Sequence, residues 1–491
     1  MNYFKKLAVH ILKNDLANNN LFRIWSRFDV NAKKQLAPEQ FQMIWSSILN
    51  SHGKILEVEV IDAKELSQQI QNEKKTFYVV VSVLTLERGF LNSIISFSDQ
   101  KEIIQFMFQE NKDRIKYIIP KYADEKKIRE IDIIVGENTE YPLTGSLTIP
   151  ELEDETKSNI EEKEKEKQKE NQNENQNENQ IENQIENQIE KKQKFPVAIF
   201  VHGSGANDRD ESIGPNKPFK DLAYGLAMHQ IASIRYDKRT KIFVEQMKQI
   251  RDKLTCVEEV IEDVLQAIQL VLKYDFLDLE RVYLIGHSFG GNLLPRIFKM
   301  FKNSQKFDEN LAKIEIKGLI FLAANSRNLE DLYVEQMEYI LGRNSTQEEA
   351  ERNLKVIRNQ VENAKKKDLT HNFPTKELPM GLSALYYLDL RSNNSLKIIN
   401  EVANQVSLFF LQGGRDYQVT DKDVQIWKDT LKDNPKFSQI LFKFYDNLNH
   451  EFGEGEGKSS PEEYILTFRN FSEKAIIDIS DWINNQNEEK K

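Results

Sequence analysis

The chain has 491 residues, 39% of them hydrophobic, and a formal charge of −10; that length exceeds what one core normally supports, so two or three folding units are expected. Residues 151–194 alone carry −6, which leaves −4 for the remainder, an ordinary surface that offers no case for nucleic acid. The single cysteine, Cys256, excludes an internal disulfide framework and suits a reducing compartment and a place in a core. No apolar run approaches a membrane span, and Leu7–Leu12 is too short for a secretory core, so a cytoplasmic protein is expected.

Residues 1–120 read as a small α+β domain. Amphipathic helical patterns run from Phe4 to Phe28 and from Pro38 to a stop at Gly53. Strand-like runs follow at Ile55–Val60, Thr76–Leu86, Phe90–Phe97 and Ile103–Phe108, with turns at Glu87–Gly89 and Ser98–Gln100. Trp25 and Trp45 stand at helical spacing and are read as core. Residues 128–150 alternate as a β-hairpin, and residues 151–194 then repeat Glu-Asn-Gln units with hardly an apolar residue, so a disordered insertion is expected, with Ile181, Ile185 and Ile189 marking one face of a transient helix or coiled coil.

From Phe195 the chain alternates strands and helices: strands at Phe195–Val201, Ala232–Tyr236, Val282–Ile285 and Gly318–Ala323, helices at Phe219–His229, Thr255–Lys273 and Gly291–Phe301. This rhythm predicts a doubly wound, mostly parallel sheet across 128–150 and 195–325. Residues 326–404 break it with two long helical patterns, the second opening at Ser345, and are read as a helical cap. The sheet resumes in 405–485 with strands at Val406–Leu411 and Ile440–Tyr445, a helix from Asp421 and a closing helix from Pro461 to Ile483.

The stretch Val282–Leu294 holds Gly286, Ser288 and Gly290 between an apolar strand and an apolar helix. That spacing describes a nucleophile elbow: the serine takes a strained backbone, and side chains two positions to either side would collide. A serine hydroxyl needs a base, and the base needs a carboxylate that holds its tautomer. His450 follows the strand Ile440–Tyr445 and fits the base. Asp416 follows the strand and glycine turn ending at Gly414 and fits the acid, whereas Asp421 and Asp423 read as caps of the next helix. Backbone N–H groups of Phe289 and of the turn His202–Gly205, with Ser204 favoured and Gly205 next, would stabilise an oxyanion. His202 is read as shaping that turn.

These motifs, with Asp208–Glu211, Arg235–Thr240, Gly413–Val419 and Leu448–His450, resemble a family of bacterial-type carboxylesterases of the α/β-hydrolase superfamily, whose members often carry a small N-terminal α+β domain of unknown role. The resemblance covers residues 128–150 and 195–485. It implies an α/β-hydrolase fold, a triad of Ser288, Asp416 and His450, and a small-molecule ester with a short acyl group as substrate. No metal-ligand spacing or phosphate loop is visible, so no cofactor or metal is expected. An acyl-CoA thioesterase or a serine peptidase would use the same triad, and a binding protein of the same fold is the remaining alternative. The charges Asp208, Arg209, Asp210, Asp237 and Arg239 read equally as a buried shell around the site or as exposed loop charges.

Overall fold

In the computed structural model, which describes residues 1–70, 73–86, 89–111, 116–151 and 194–486, the chain divides into two units. The first holds Met1–Tyr117 with Ile213–Asn216 and Pro461–Phe468; the second holds Ile118–Ser212, Lys217–Ser460 and the chain from Arg469 onward. The insertion expected at 151–194 lies almost entirely outside the described residues.

The first unit is an α+β fold. Its four strands, β1 (Ile55–Ile70), β2 (Glu73–Leu86), β3 (Gly89–Ser98) and β4 (Ile103–Glu110), form an antiparallel meander in chain order. Alternate residues of β2 and β3, among them Val80, Leu84, Leu91 and Ile95, face Ile11, Leu12, Ile24 and Phe41 of the preceding helices. Pro38 opens the helix Pro38–His52, and Gly53, at φ +78°, ends it. Trp45 is buried and stacks on Phe108, and the Trp25 indole N–H donates to the Leu36 carbonyl at 2.9 Å, so both tryptophans belong to the core.

The second unit is built on an eight-stranded sheet. The hairpin β5 (Ile128–Val135) and β6 (Leu143–Pro150) forms one edge; then come β8 (Ala232–Tyr236), β7 (Phe195–Val201), β9 (Leu277–His287), β10 (Ile316–Leu322), β11 (Ser407–Gly413) and β12 (Leu441–Tyr445). From β8 to β12 every neighbouring pair is parallel, whereas β6 runs antiparallel to β8. All seven residues of β7 are buried, as expected of a strand covered on both faces. Ile199, Leu284, Leu319 and Phe410 pack on one face; Phe200, Ile285, Ile320 and Phe409 pack on the other. Strand order reverses between β7 and β9, the crevice where open α/β sheets place their sites. Because β6 is antiparallel, Pro150 and Phe195 both lie at the opposite, amino-terminal edge of the parallel strands.

Three sequence expectations need correction. The second cap helix, Gln347–Lys365, is capped by Thr346, whose hydroxyl and Glu349 form the reciprocal capping box, one residue later than expected. Two further helices, Ala384–Ser392 and Ser395–Ala403, follow it; their short apolar faces are hard to separate from loop by periodicity. The second of them packs on the core helix Phe289–Ser304 and buries Ile399 and Val402 in the main core. The closing helix is two helices, Pro461–Leu466 and Glu473–Asn485.

The cap is fastened to the core by charge. Arg296, on the helix after β9, donates to both Asp389 oxygens at 2.7 and 2.8 Å, and the buried Cys256 thiol lies between them, 3.1 Å from Asp389. Burial pushes the Cys256 pKa well up, which keeps the thiol protonated and inert. Asp389→Ala would strand the Arg296 guanidinium, and we expect a loss of about 3 kcal/mol in urea unfolding. A change below about 0.5 kcal/mol would show that the pair is no fastening.

Candidate active site

Ser288 occupies the turn from β9 into the helix Phe289–Ser304, at φ +52° and ψ −122°. Its N–H donates to the Leu322 carbonyl of β10 at 2.8 Å. A Cβ at Gly290 would stand 2.3 Å from the Val201 carbonyl oxygen, and one at Gly286 would stand 2.7 Å from the Gly290 carbonyl. Backbone atoms cannot retreat as a flexible side chain can, so glycine is required at both positions.

His450 stands in the loop that follows β12, and its Nδ1 lies 2.7 Å from Asp416 Oδ2. Both residues are buried. Asp416 Oδ1 accepts the N–H groups of Gln418 and Val419, at 2.8 and 3.0 Å, and Gln412 Nε2 donates to Oδ2 at 3.2 Å. With Nδ1 committed to a carboxylate, the Nε2 lone pair of His450 is left to act as a base. Among the described hydrogen bonds none joins the Ser288 hydroxyl to His450; such contacts are commonly long in unliganded sites.

Asp421 lies exposed in the first turn of the helix Asp421–Leu431. Asp423 departs from expectation. It is not a cap but a wholly buried anchor: Oδ1 accepts the N–H groups of Ser326 and Arg327 at 2.9 and 3.0 Å, and Oδ2 accepts from Arg327 Nη2 at 2.7 Å. A position-only reading of the helix start could not reveal a partner nearly a hundred residues away.

Ser204 and Phe289 line one cavity of about 490 Å³ together with Gly205, Val244, Met247, Leu329, Leu382 and Tyr386. Among the described residues the backbone N–H of neither Ser204 nor Phe289 has a hydrogen-bond partner. Two backbone donors, one on the turn after β7 and one directly after the elbow serine, are thus left without partners beside one cavity.

Beneath this surface lies a set of buried charges that motif reading missed. Glu211 Oε1 accepts the Gly203 N–H at 2.7 Å, and its Oε2 lies 2.7 Å from His287 Nδ1. The second contact is an ion pair within hydrogen-bond distance, and Coulombic attraction is its larger part. His287 Nε2 meets the His450 carbonyl at 2.9 Å. Lys238, 1% exposed, donates to the carbonyls of Gly203 and Gly205 at 3.1 and 2.9 Å and pairs with Glu259 at 2.5 Å. Glu259 in turn accepts from the Tyr386 hydroxyl at 2.7 Å. The available signals were His287 inside the elbow motif and Lys238 two residues after a buried strand. His202 Nε2 meets the Tyr236 carbonyl at 2.6 Å, and burial lowers its pKa, so the ring is neutral and braces the turn.

The charged cluster proves largely internal. Asp210, Asp237 and Arg239 are buried, Arg209 pairs with Asp237 at 2.6 Å, and Arg239 pairs with Asp263 at 2.5 Å. Asp208 is half-buried and accepts the N–H groups of Asp210 and Ser212 at 3.1 and 2.9 Å.

Burial alone would lower the His287 pKa, but the Glu211 carboxylate outweighs it, and with the His450 carbonyl and Glu451 raises the value from 6.5 to about 9. Glu211 is correspondingly held below the usual carboxylate range: burial opposes this, but the His287 ring and the Gly203 N–H outweigh it.

No family model matches the chain. Esterase EstD of Thermotoga maritima is 30% identical over 454 residues, covering 92% of this chain and 88% of that protein. Among solved structures, an esterase B from Lactobacillus rhamnosis aligns at 12% identity with a TM-score of 0.41, covering 76% of this chain and 91% of that one. A Pyrobaculum calidifontis esterase aligns at 12% identity with a TM-score of 0.40, covering 74% and 87%.

Two outcomes are expected. Gly290→Ala should lower stability by about 3 kcal/mol, because the added methyl meets two backbone carbonyls, and esterase activity should fall with it; a fully active, equally stable variant would contradict the contact. The groups facing His287 are Glu211, Glu451, His450 and, through Glu211, His202. A folded pKa raised above 6.5 contributes stability that is complete below that value and is lost as pH rises through about 9. The melting temperature should therefore decline between pH 7 and 9.5, and His287→Gln should flatten that decline.

Proposed function

Since the chain belongs to the esterase family of the α/β-hydrolase fold that includes EstD, and is itself a carboxylic ester hydrolase, we propose that it cleaves esters through an acyl-enzyme on Ser288, with His450 as base and Asp416 as its orienting acid. The observation that carries this reading is the buried 2.7 Å contact of Asp416 Oδ2 with His450 Nδ1, since it gives the imidazole the one tautomer that can accept a proton at Nε2. The Ser288 oxygen attacks the ester carbonyl as its proton passes to His450 Nε2. The tetrahedral oxyanion is held by the N–H groups of Ser204 and Phe289. Collapse expels the alcohol, protonated by His450, and water repeats the sequence on the acyl-serine.

The substrate is a small-molecule ester. The cavity wall is mainly aliphatic and aromatic, and its volume lies in the range of pockets for small ligands, which suits a short to medium acyl chain rather than a folded peptide. Its two basic side chains, Lys248 and Arg251, already have partners, Glu245 at 2.7 Å and the Gly381 carbonyl at 2.6 Å, which favours a simple ester over the phosphates of a CoA thioester.

A panel of p-nitrophenyl esters, acyl-CoAs and peptide amides decides the matter. Turnover of short and medium esters is expected, abolished in Ser288→Ala. Asp416→Asn should lower kcat on the order of 10⁴-fold, as in the serine-protease example of the wrong tautomer, and Asp421→Asn should leave it unchanged. An acyl-CoA preference above about tenfold, worth about 1.4 kcal/mol in the transition state, would instead identify a thioesterase. Retained activity in Ser288→Ala would remove the triad.

A further inference from the structure

Gly203 is gripped from both sides. Its N–H donates to Glu211 at 2.7 Å, and its carbonyl accepts from Lys238 Nζ at 3.1 Å. The Gly203 carbonyl and the Ser204 N–H belong to the same planar trans peptide and point in opposite directions. Whatever holds the carbonyl therefore aims the N–H. Lys238 also holds the Gly205 carbonyl at 2.9 Å, so the Ser204 peptide is fixed between two carbonyls bound to one ammonium group.

We propose that Lys238 and Glu211 are positioning residues of the oxyanion turn, clamping the backbone of Gly203 between two buried charges so that the Ser204 N–H faces the ester carbonyl. This rests on the reading of Ser288, Asp416 and His450 as the triad. Neither residue touches the substrate carbonyl. Each charge is tied elsewhere. Glu211 pairs with His287, whose Nε2 meets the His450 carbonyl, so the oxyanion turn, the elbow and the loop of the base share one buried connection. Lys238 pairs with Glu259, which accepts the hydroxyl of Tyr386 in the cavity wall, so the same turn is joined to the cap. A carboxylate and an ammonium group are costly to bury, and neutral residues would pack more cheaply. Their value at this place lies in direction: several charge-assisted bonds converge on one turn and hold it without reorganisation as negative charge develops.

The test compares turnover with binding of a transition-state analogue, a trifluoromethyl ketone whose chain matches the best ester and whose carbonyl adds reversibly to Ser288. Lys238→Met and Glu211→Ala should lower kcat about ten- to hundredfold, less than outright removal of an oxyanion donor, with KM changed by less than about threefold. The ketone inhibition constant should rise by the same factor as kcat/KM falls. Glu211→Gln, which keeps an oxygen for the Gly203 N–H, should lose less than Glu211→Ala and serves if the alanine variant fails to fold. The proposal is overturned if folded variants keep kcat within about twofold, if only KM moves, or if ketone affinity stays constant while kcat falls. Wild-type protein that forms no adduct with the ketone at Ser288 would instead overturn the triad reading, independently of Lys238 and Glu211.

Discussion

A backbone turned to φ +52° at Ser288 cannot hold itself there, because a residue with a Cβ relaxes out of that region unless its surroundings forbid it. Here the prohibition is steric. The Gly290 Cα is pressed so near the Val201 and His202 carbonyls that no methyl fits, and the Ser288 N–H is bonded to β10. The elbow is thus wedged between the ends of β7 and β10, and the serine's exposure at the carboxyl edge follows from the packing of strands on either side.

That dependence explains what could be read before the structure was in hand. Strands such as Phe195–Val201 announce themselves by continuous apolar residues, and the elbow does so by its two glycines, because both features are local. Asp416 and His450 could be singled out for a related reason: they follow β11 and β12, adjacent parallel strands that end on the same edge of the sheet as β9. What stayed hidden depends on long-range pairing. Asp423 looks like any acid in a first helical turn until Ser326 and Arg327 are folded against it. Glu211 and Lys238 sit in a charged run that reads equally well as solvated loop. The break in the closing helix and the two short cap helices escaped because their apolar residues are too few to fix a period.

Behind the apolar wall of the site runs a set of buried ionic and polar contacts. Arg235 alone reaches Asp210 and Glu130, and Arg239 reaches Asp263 and Glu262. Such pairs add little net stability, since desolvation offsets most of their attraction. Their effect is to discriminate between nearly isoenergetic loop arrangements. A displaced loop would leave a buried charge without its partner, so the arrangement that satisfies every charge stands well below its competitors.

The hairpin β5–β6 enters the sheet in the opposite sense to its neighbours, and this has a topological result. The chain leaves after Pro150 and re-enters at Phe195 on the amino-terminal edge of the parallel strands, while Ser288, Asp416 and His450 all lie at the carboxyl edge. The length of a β-strand separates the two edges. The junction where the chain departs from the sheet therefore stands on the edge away from Ser288, Asp416 and His450. The same junction is a natural splice point for a reporter or a second catalytic module.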